Sequence, residues 1–432
     1  MKRSLLNSLA EWKNSQHRKP LILRGARQVG KTWLLREFGR TQYNQVLYVN
    51  FETNRHLRNL FADDIDIDRI LRILQIETGI NPEAPGTLII FDELQEAEGG
   101  LTALKYFDEA AEDFHIVAAG SLLGLAMHPG SSFPVGKVEF LDLYPMDFIE
   151  FLEANGQSAL AQLLENPDWQ VINTFRHKYI QYLRYYYFTG GMPEAVLAFT
   201  ENNDTAEVRK IQQRILDAFE QDFSKHAPHE IVPRLRMLWS SIPAQLAREN
   251  RKFMYGLIRT GARAKEFELA LGWLADCGLV HKVTRVSKPA FPLKAYEDYH
   301  SFKLFLLDVG LLGAMGNLDM KIILNGDKVF EEFKGSLTEQ FVLQQLVTDK
   351  RLSVHYWSAE RATAEIDFLV QTSSMIIPVE VKAEENLHAK SLRLFHDKYN
   401  PAISVRTSMS AYRQDGWLTN IPLFAIAAVS GL

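Results

Sequence analysis

The sequence predicts an α/β protein built on a parallel sheet, and three observations carry that expectation. Residues Gly25 to Thr32 read G-A-R-Q-V-G-K-T, a phosphate-binding loop pattern with an apolar run before it and helical spacing after it. The run Thr87-Leu88-Ile89-Ile90-Phe91-Asp92-Glu93 is apolar until it ends in two carboxylates, the pattern of a central strand covered on both faces. Further on, Glu365 to Val370 and Ile376 to Lys382 alternate like two more strands, and both carry acidic residues.

A chain of 432 residues has room for several cores, on the order of two to four domains. Changes of pattern divide it into a P-loop core over 1–143, a helical lid over 144–228, a winged-helix-like segment over 229–318 and a C-terminal α/β domain over 319–432. The 47% hydrophobic and 23% charged fractions are those of a globular protein. With a net charge of −5 there is no overall basic field, so contact with nucleic acid would need a local patch. A lone cysteine, Cys277, excludes an intramolecular disulfide and fits a reducing compartment.

Near the start, Leu5, Leu6, Leu9 and Trp12 fall on one face of an amphipathic helix. Near the end, the apolar run from Leu418 contains Asn420 and Pro422 and is too short to span a bilayer. Leu423 to Val429 within it reads as a core strand. These features predict a soluble, cytoplasmic protein with no membrane partner.

In the loop, Gly25, Ala26, Arg27, Gln28, Val29, Gly30, Lys31 and Thr32 are the expected nucleotide-binding residues. Glycines let successive N–H groups face a phosphate, and the following helix N-terminus favours negative charge. Lys31 is expected to reach the β- and γ-phosphates and the Thr32 hydroxyl to ligate Mg²⁺. Asp92 is the second expected Mg²⁺ residue, with Glu93 orienting and polarising the attacking water. The plainer alternative for this pair is a helix cap after a buried strand.

Val46 to Phe51, His115 to Ala119 and Val138 to Leu143 complete an expected five-stranded sheet. That order suits additional-strand ATPases with a catalytic glutamate, and the absence of an Asn-Lys-x-Asp motif favours ATP over GTP. Ser121, after the fourth strand, either senses the γ-phosphate or caps the next helix.

Tyr144 to Lys225 reads as mainly helical, and its aromatic-rich Tyr179 to Phe188 as lid core instead of a base-stacking surface. The amphipathic Ala264 to Leu274 leads through Gly278 into the alternating Leu279 to Val286, the pattern of a winged helix. Arg248, Arg251, Lys252, Arg259, Arg263 and Lys265 make this region basic; they either contact a DNA backbone or form a solvated surface. Leu304 to Gly310 reads as a strand and turn. His226 and His229 lack a third ligand and carry no metal assignment.

The segments GARQVGKT, LIIFDELQ, AAGS, FTGGMPEA, DFSKHAP, LLDVGLL, AEIDFLV and PVEVK occur in this order. Together they resemble a family of prokaryotic AAA-type ATPases whose C-terminal domain of unknown function is similar to restriction endonucleases. The resemblance spans nearly the whole chain. It implies that the Gly191-Met192-Pro193 turn contacts adenine, through Gly191 and Pro193. Where the family often carries Gly-Arg before the fifth strand, this chain has Gly136-Lys137, which leaves no residue assigned as an arginine finger.

In the C-terminal domain, Asp367 and Glu380 on adjacent strands are expected to converge on a hard divalent cation, a second Mg²⁺ or Mn²⁺. Lys382, on the same strand face as Glu380, would orient water or stabilise charge on phosphate, so Glu380 and Lys382 are candidate catalytic residues. The resemblance adds Glu339, on a helix that starts after Gly335, as a third metal carboxylate. This ordered set predicts an endonuclease-like fold, and two readings of it stay open: metal-dependent cleavage, or DNA binding and core support alone.

The expected protein is thus an ATP-binding and ATP-hydrolysing switch that controls a C-terminal DNA-processing site. The alternative is a signalling ATPase whose C-terminal domain is an interaction module for DNA or protein. ATP, Mg²⁺, DNA and a protein partner or further copies of the chain are the partners these readings imply.

Overall fold

The computed structural model describes residues 1–62, 65–110, 114–120, 136–247, 252–325, 331–359, 364–383 and 389–432, with backbone alone at 110, 325, 331 and 332. By packing, the chain divides into two compact units. One comprises Lys2–Tyr144 and Asp276–Gly278; the other comprises Met1, Pro145–Ala275 and Leu279–Leu432.

The first unit is a parallel five-stranded sheet of β1 (Leu21–Arg24), β2 (Gln45–Asn50), β3 (Thr87–Asp92), β4 (His115–Ala119) and β5 (Glu139–Asp142), ordered β2-β3-β4-β1-β5. Strand β4 is thus inserted between the phosphate-loop strand and the acidic strand. Helices α1 (Leu5–Lys13), α2 (Lys31–Gln42), α3 (Ile67–Thr78) and α4 (Gly100–Ala110) accompany the sheet. Leu9 and Trp12 are the buried positions of α1, as their spacing predicts.

Every residue of β3 is buried, in keeping with its unbroken apolar run. Phe91 meets Phe51 and Phe61 at ring-centroid distances of 5.8 Å and Phe107 at 6.1 Å. Burying one such ring stabilises the fold by roughly 1.5–3 kcal/mol. Across the other half of the sheet, Arg24 holds Asp142 through two hydrogen bonds of 2.7 and 3.0 Å and ties β1 to β5.

The second unit begins with helices Phe148–Ala154, Ser158–Glu165, Trp169–Thr174, Arg176–Thr189, Pro193–Asn202 and Thr205–His226. Tyr179, Tyr186, Tyr187 and Phe188 are buried, so the aromatic stripe is core. These helices, expected as the lid of the ATPase core, share a packing unit with the C-terminal sheet.

That sheet has eight strands: β6 (Val280–Val286), β7 (Glu297–Leu306), β8 (Ser353–Ser358), β9 (Glu365–Gln371), β10 (Ile376–Val381), β11 (Ser404–Ser408), β12 (Arg413–Asp415) and β13 (Leu418–Pro422). Their order is β12-β13-β11-β10-β9-β8-β6-β7. The β6–β7 hairpin follows the helix Ala264–Asp276, as a wing would, yet β6 pairs in parallel with β8 at Arg285↔Tyr356 and Val286↔Trp357. The hairpin is therefore part of the same sheet as the C-terminal strands, and the expected boundary at 318/319 does not interrupt it.

Three local expectations are corrected. Leu423–Gly431 is a 3-10 helix, not a strand; a short apolar run does not by itself distinguish a buried strand from a buried helix. Leu304 to Gly310 does not end in a simple turn, because Asp308 caps a buried helix, Val309–Met315. The helix that carries Glu339 runs Glu331–Leu346, with Gly335 inside it, so tertiary packing overrides the helix-breaking tendency of glycine.

This last helix is buried on nearly all sides from Ser336 to Leu346, and several of its polar side chains meet backbone groups. Gln340 bonds both the N–H and the C=O of Leu306 on the edge strand β7, at 2.9 and 2.6 Å. Gln345 accepts from the Phe148 N–H at 2.8 Å. The pairing offsets the cost of burying three consecutive polar-bearing turns.

Candidate functional site

The phosphate loop connects β1 to α2. Gly30 adopts φ +94°, and at Gly25 a Cβ would lie 2.4 Å from the Leu143 carbonyl oxygen, so no larger residue fits there without displacing backbone. Gln28 is also left-handed, at φ +65°. Val29 and Ala26 are buried, while Arg27 is half-buried and its charge acts on both Lys31 and Glu93. Arg3, which the sequence reading did not single out, donates to the carbonyls of Val29 at 3.0 Å and Tyr144 at 2.7 Å. It braces the loop from beneath.

Lys31 is buried and donates to the Gly25 and Ala26 carbonyls, both at 2.9 Å. Burial lowers its pKa to about 8, against the raising effect of Glu93 and Asp92. The Thr32 hydroxyl donates to Asp92 Oδ2 at 2.8 Å, bridging the loop helix and the end of β3.

Asp92 Oδ2 also accepts from the Tyr48 hydroxyl at 2.7 Å, whereas Oδ1 is buried with no hydrogen-bond partner among the described residues. A buried, unsatisfied carboxylate oxygen beside a threonine hydroxyl fits a hard divalent cation such as Mg²⁺. Tyr48 and Asn50 were missed in the sequence. Their i,i+2 spacing on β2, with Asn50 paired opposite Asp92, was the available signal.

Glu93 is a non-glycine residue at φ +51°, half-buried, with Gln95 donating to its Oε2 at 2.5 Å. Burial raises its pKa above the usual glutamate value. Glu93 thus stands in a left-handed conformation at the end of the acidic strand, and among the described residues its side chain makes no capping hydrogen bond to the short 3-10 turn that follows. Ser121 lies outside the described residues. Lys137, standing where an arginine would be expected, pairs with Asp108 at 3.1 Å and Glu109 at 3.4 Å.

Gly191 and Pro193 belong to the second unit. The Gly191 N–H donates to Asp308 Oδ2 at 2.6 Å, and its carbonyl accepts from the Met146 N–H at 2.7 Å. Both backbone groups are thus satisfied there, and Pro193 opens the helix Pro193–Asn202 without an N–H to offer. Of the basic residues, Arg248 and Arg251 lie outside the described residues. Lys252, Arg263 and Lys265 are exposed, and Arg259 pairs with Glu266.

The C-terminal cluster differs from its expected form. Among the described residues no three His, Cys, Asp or Glu side chains are placed to hold a metal ion. The buried ammonium of Lys303, from β7, stands between the carboxylates instead. It lies 2.5 Å from Glu365, 3.6 Å from Glu339 and 3.9 Å from Asp367. Asp367 Oδ2 accepts the Val381 N–H at 2.8 Å, which fixes it against β10.

Glu380 is buried and pairs with Lys382 at 2.7 Å; burial raises its pKa against the opposing pull of that lysine. Its Oε2 has no hydrogen-bond partner. Glu339 and Asp367 share a lysine, and Glu380 is held by another. Lys303 and Glu365 were not among the expected site residues, because Lys303 lies on β7, far in sequence from the strands that carry Asp367 and Glu380.

An inserted β4, a phosphate loop on β1 and an acidic end to β3 define a P-loop nucleoside-triphosphatase core. Residues 17–152 match the family model described as AAA domain. Residues 180–321 and 334–425 match two domains of unknown function, DUF8612 and DUF4143. No curated protein matches the chain.

Among solved structures, the chain is similar to the Walker-type ATPase PABY2304 of Pyrococcus abyssi, with 15% identity, TM-score 0.45, and coverage of 73% of this chain and 95% of that one. It is also similar to the Aeropyrum pernix ORC1 protein in complex with DNA, with 14% identity, TM-score 0.30, and coverage of 72% and 90%. The Thermotoga maritima RuvB Holliday junction branch migration motor gives 13% identity, TM-score 0.30, and coverage of 65% and 89%. Among the described residues no helix is long and apolar enough to cross a membrane.

Proposed function

We propose that this protein is an AAA-type switch that binds and hydrolyses ATP. The observation that carries the reading is the Thr32 hydroxyl on Asp92 at 2.8 Å, with the second Asp92 oxygen buried and unsatisfied beside the loop lysine. Thr32 and Asp92 are the residues that would hold Mg²⁺, which when bound neutralises charge on the β- and γ-phosphates. Lys31 exchanges its two loop carbonyls for phosphate oxygens. Glu93, held by Gln95, orients the attacking water and takes up its proton.

For the C-terminal domain, the retained reading is the interaction module for DNA or protein, not metal-dependent cleavage. Lys303 among the carboxylates favours it. The experiment that tests the central claim is phosphate release from ATP and GTP with Mg²⁺, together with equilibrium binding of ATP. Turnover of ATP in the wild type and loss of binding in K31A support the proposal; unchanged ATP binding in K31A sinks it.

A further inference from the structure

Three carboxylates from two elements converge on one amine. Glu339 comes from the helix Glu331–Leu346, and Glu365 and Asp367 come from one face of β9. The amine is that of Lys303, whose side chain is 1% exposed, with Glu339 at 3%. Its nitrogen lies over the Tyr356 ring, 5.1 Å from the ring centre. Buried ammonium groups persist when opposite charge surrounds them, and here three carboxylates do so.

We propose that Lys303 fills the cation position of the Glu339–Glu365–Asp367 cluster, so that this cluster takes up no divalent metal and the domain binds its partner without one. A dication entering would face an ammonium at contact distance, or would have to expel a buried side chain that also packs on Tyr356. Two of the three carboxylates, Glu339 and Asp367, were the ones expected to hold a metal, and they meet at an amine instead. The Glu380–Lys382 pair repeats the arrangement one strand away, at 2.7 Å. The inference deepens the reading of the C-terminal domain as a non-cleaving module and is independent of the ATPase.

The test is Mn²⁺ binding to the full chain, followed by electron paramagnetic resonance. A D92N background silences the nucleotide metal residue. The parent is expected to show no Mn²⁺ site. K303M is expected to gain one, and E339Q together with D367N added to K303M is expected to remove it. If K303M does not fold, K303M/E365Q removes one charge of each sign and is expected to bind Mn²⁺ through Glu339 and Asp367.

A Mn²⁺ site in the parent that D367A abolishes would overturn the proposal, as would failure of the emptied cluster to bind Mn²⁺ at all. DNA cleavage assays on the same proteins separate the two claims. Mn²⁺ bound without cleavage defeats only the lysine-filled site. Cleavage that is lost in D367A defeats the module reading as well.

Discussion

Asp308 accepts the N–H of Gly191, a residue 117 positions earlier, at 2.6 Å. The same carboxylate caps the helix Val309–Met315 through Leu311 at 3.0 Å and takes a bond from Gln344 at 3.0 Å. Two segments read from the sequence as unrelated, the Gly-Gly turn and the Leu-Asp-Val-Gly run, are one buried polar junction. Burial pushes the Asp308 pKa upward while its hydrogen bonds hold it down.

Replacing Asp308 with Asn puts an amide where a carboxylate oxygen now faces an N–H donor. D308N is expected to lose about 2–3 kcal/mol of stability, measured by urea denaturation. A loss below about 0.5 kcal/mol, the size of a neutral surface change, would show that the junction is not formed.

At the nucleotide site, E93Q is expected to keep ATP binding while hydrolysis falls about 10²–10⁴-fold, because an amide cannot take a proton from water. Single-turnover kinetics measure the chemical step directly. Equal rates for E93Q and wild type would remove Glu93 from the reaction.

Lys31 gives a pH dependence whose sign is fixed by its lowered pKa of about 8. Between about 8 and the ordinary lysine value, the folded chain binds fewer protons than the unfolded one. Stability of the nucleotide-free protein therefore rises with pH across that window, and K31M is expected to flatten the rise. ATP binding needs the charged amine, so affinity is expected to fall above pH 8, at most about tenfold per pH unit. Calorimetric titration between pH 7 and 9.5 checks this, and affinity that stays flat would contradict it.

Tyr48 holds Asp92 in place without standing among the proposed metal residues. Y48F is expected to raise the Mg²⁺ concentration for half-maximal hydrolysis by about tenfold, with kcat at saturating Mg²⁺ largely retained. A reduced kcat with an unaltered Mg²⁺ requirement would assign Tyr48 a different task.

The first unit was legible because its signals are local. The loop glycines, the unbroken apolar run to Asp92 and the spacing of Leu9 and Trp12 each dictate their own surroundings. Strand ends fell within a residue of the expected ones, as at β2 and β5, where hydrogen bonding and apolar pattern stop at different residues. What stayed hidden depends on partners distant in sequence. Lys303 reads as an ordinary strand residue until β7 is set beside the helix of Glu339. Gln340 and Gln344 carry no local sign of burial, because their partners Leu306 and Asp308 lie 34 and 36 positions away. Arg3 braces Val29 and Tyr144 from the far end of the chain, which no spacing rule reveals.

The parallel pairing of β6 with β8 bears on how this architecture can be inherited. A chain severed after residue 318 would strip β8 of its neighbour and leave β6 with one open side, two raw margins where the intact protein has none. The C-terminal strands and the hairpin are thus a single heritable piece. Shuffling that grafts the tail onto another ATPase must carry Val280–Leu306 along, or supply a substitute strand for the exposed margin.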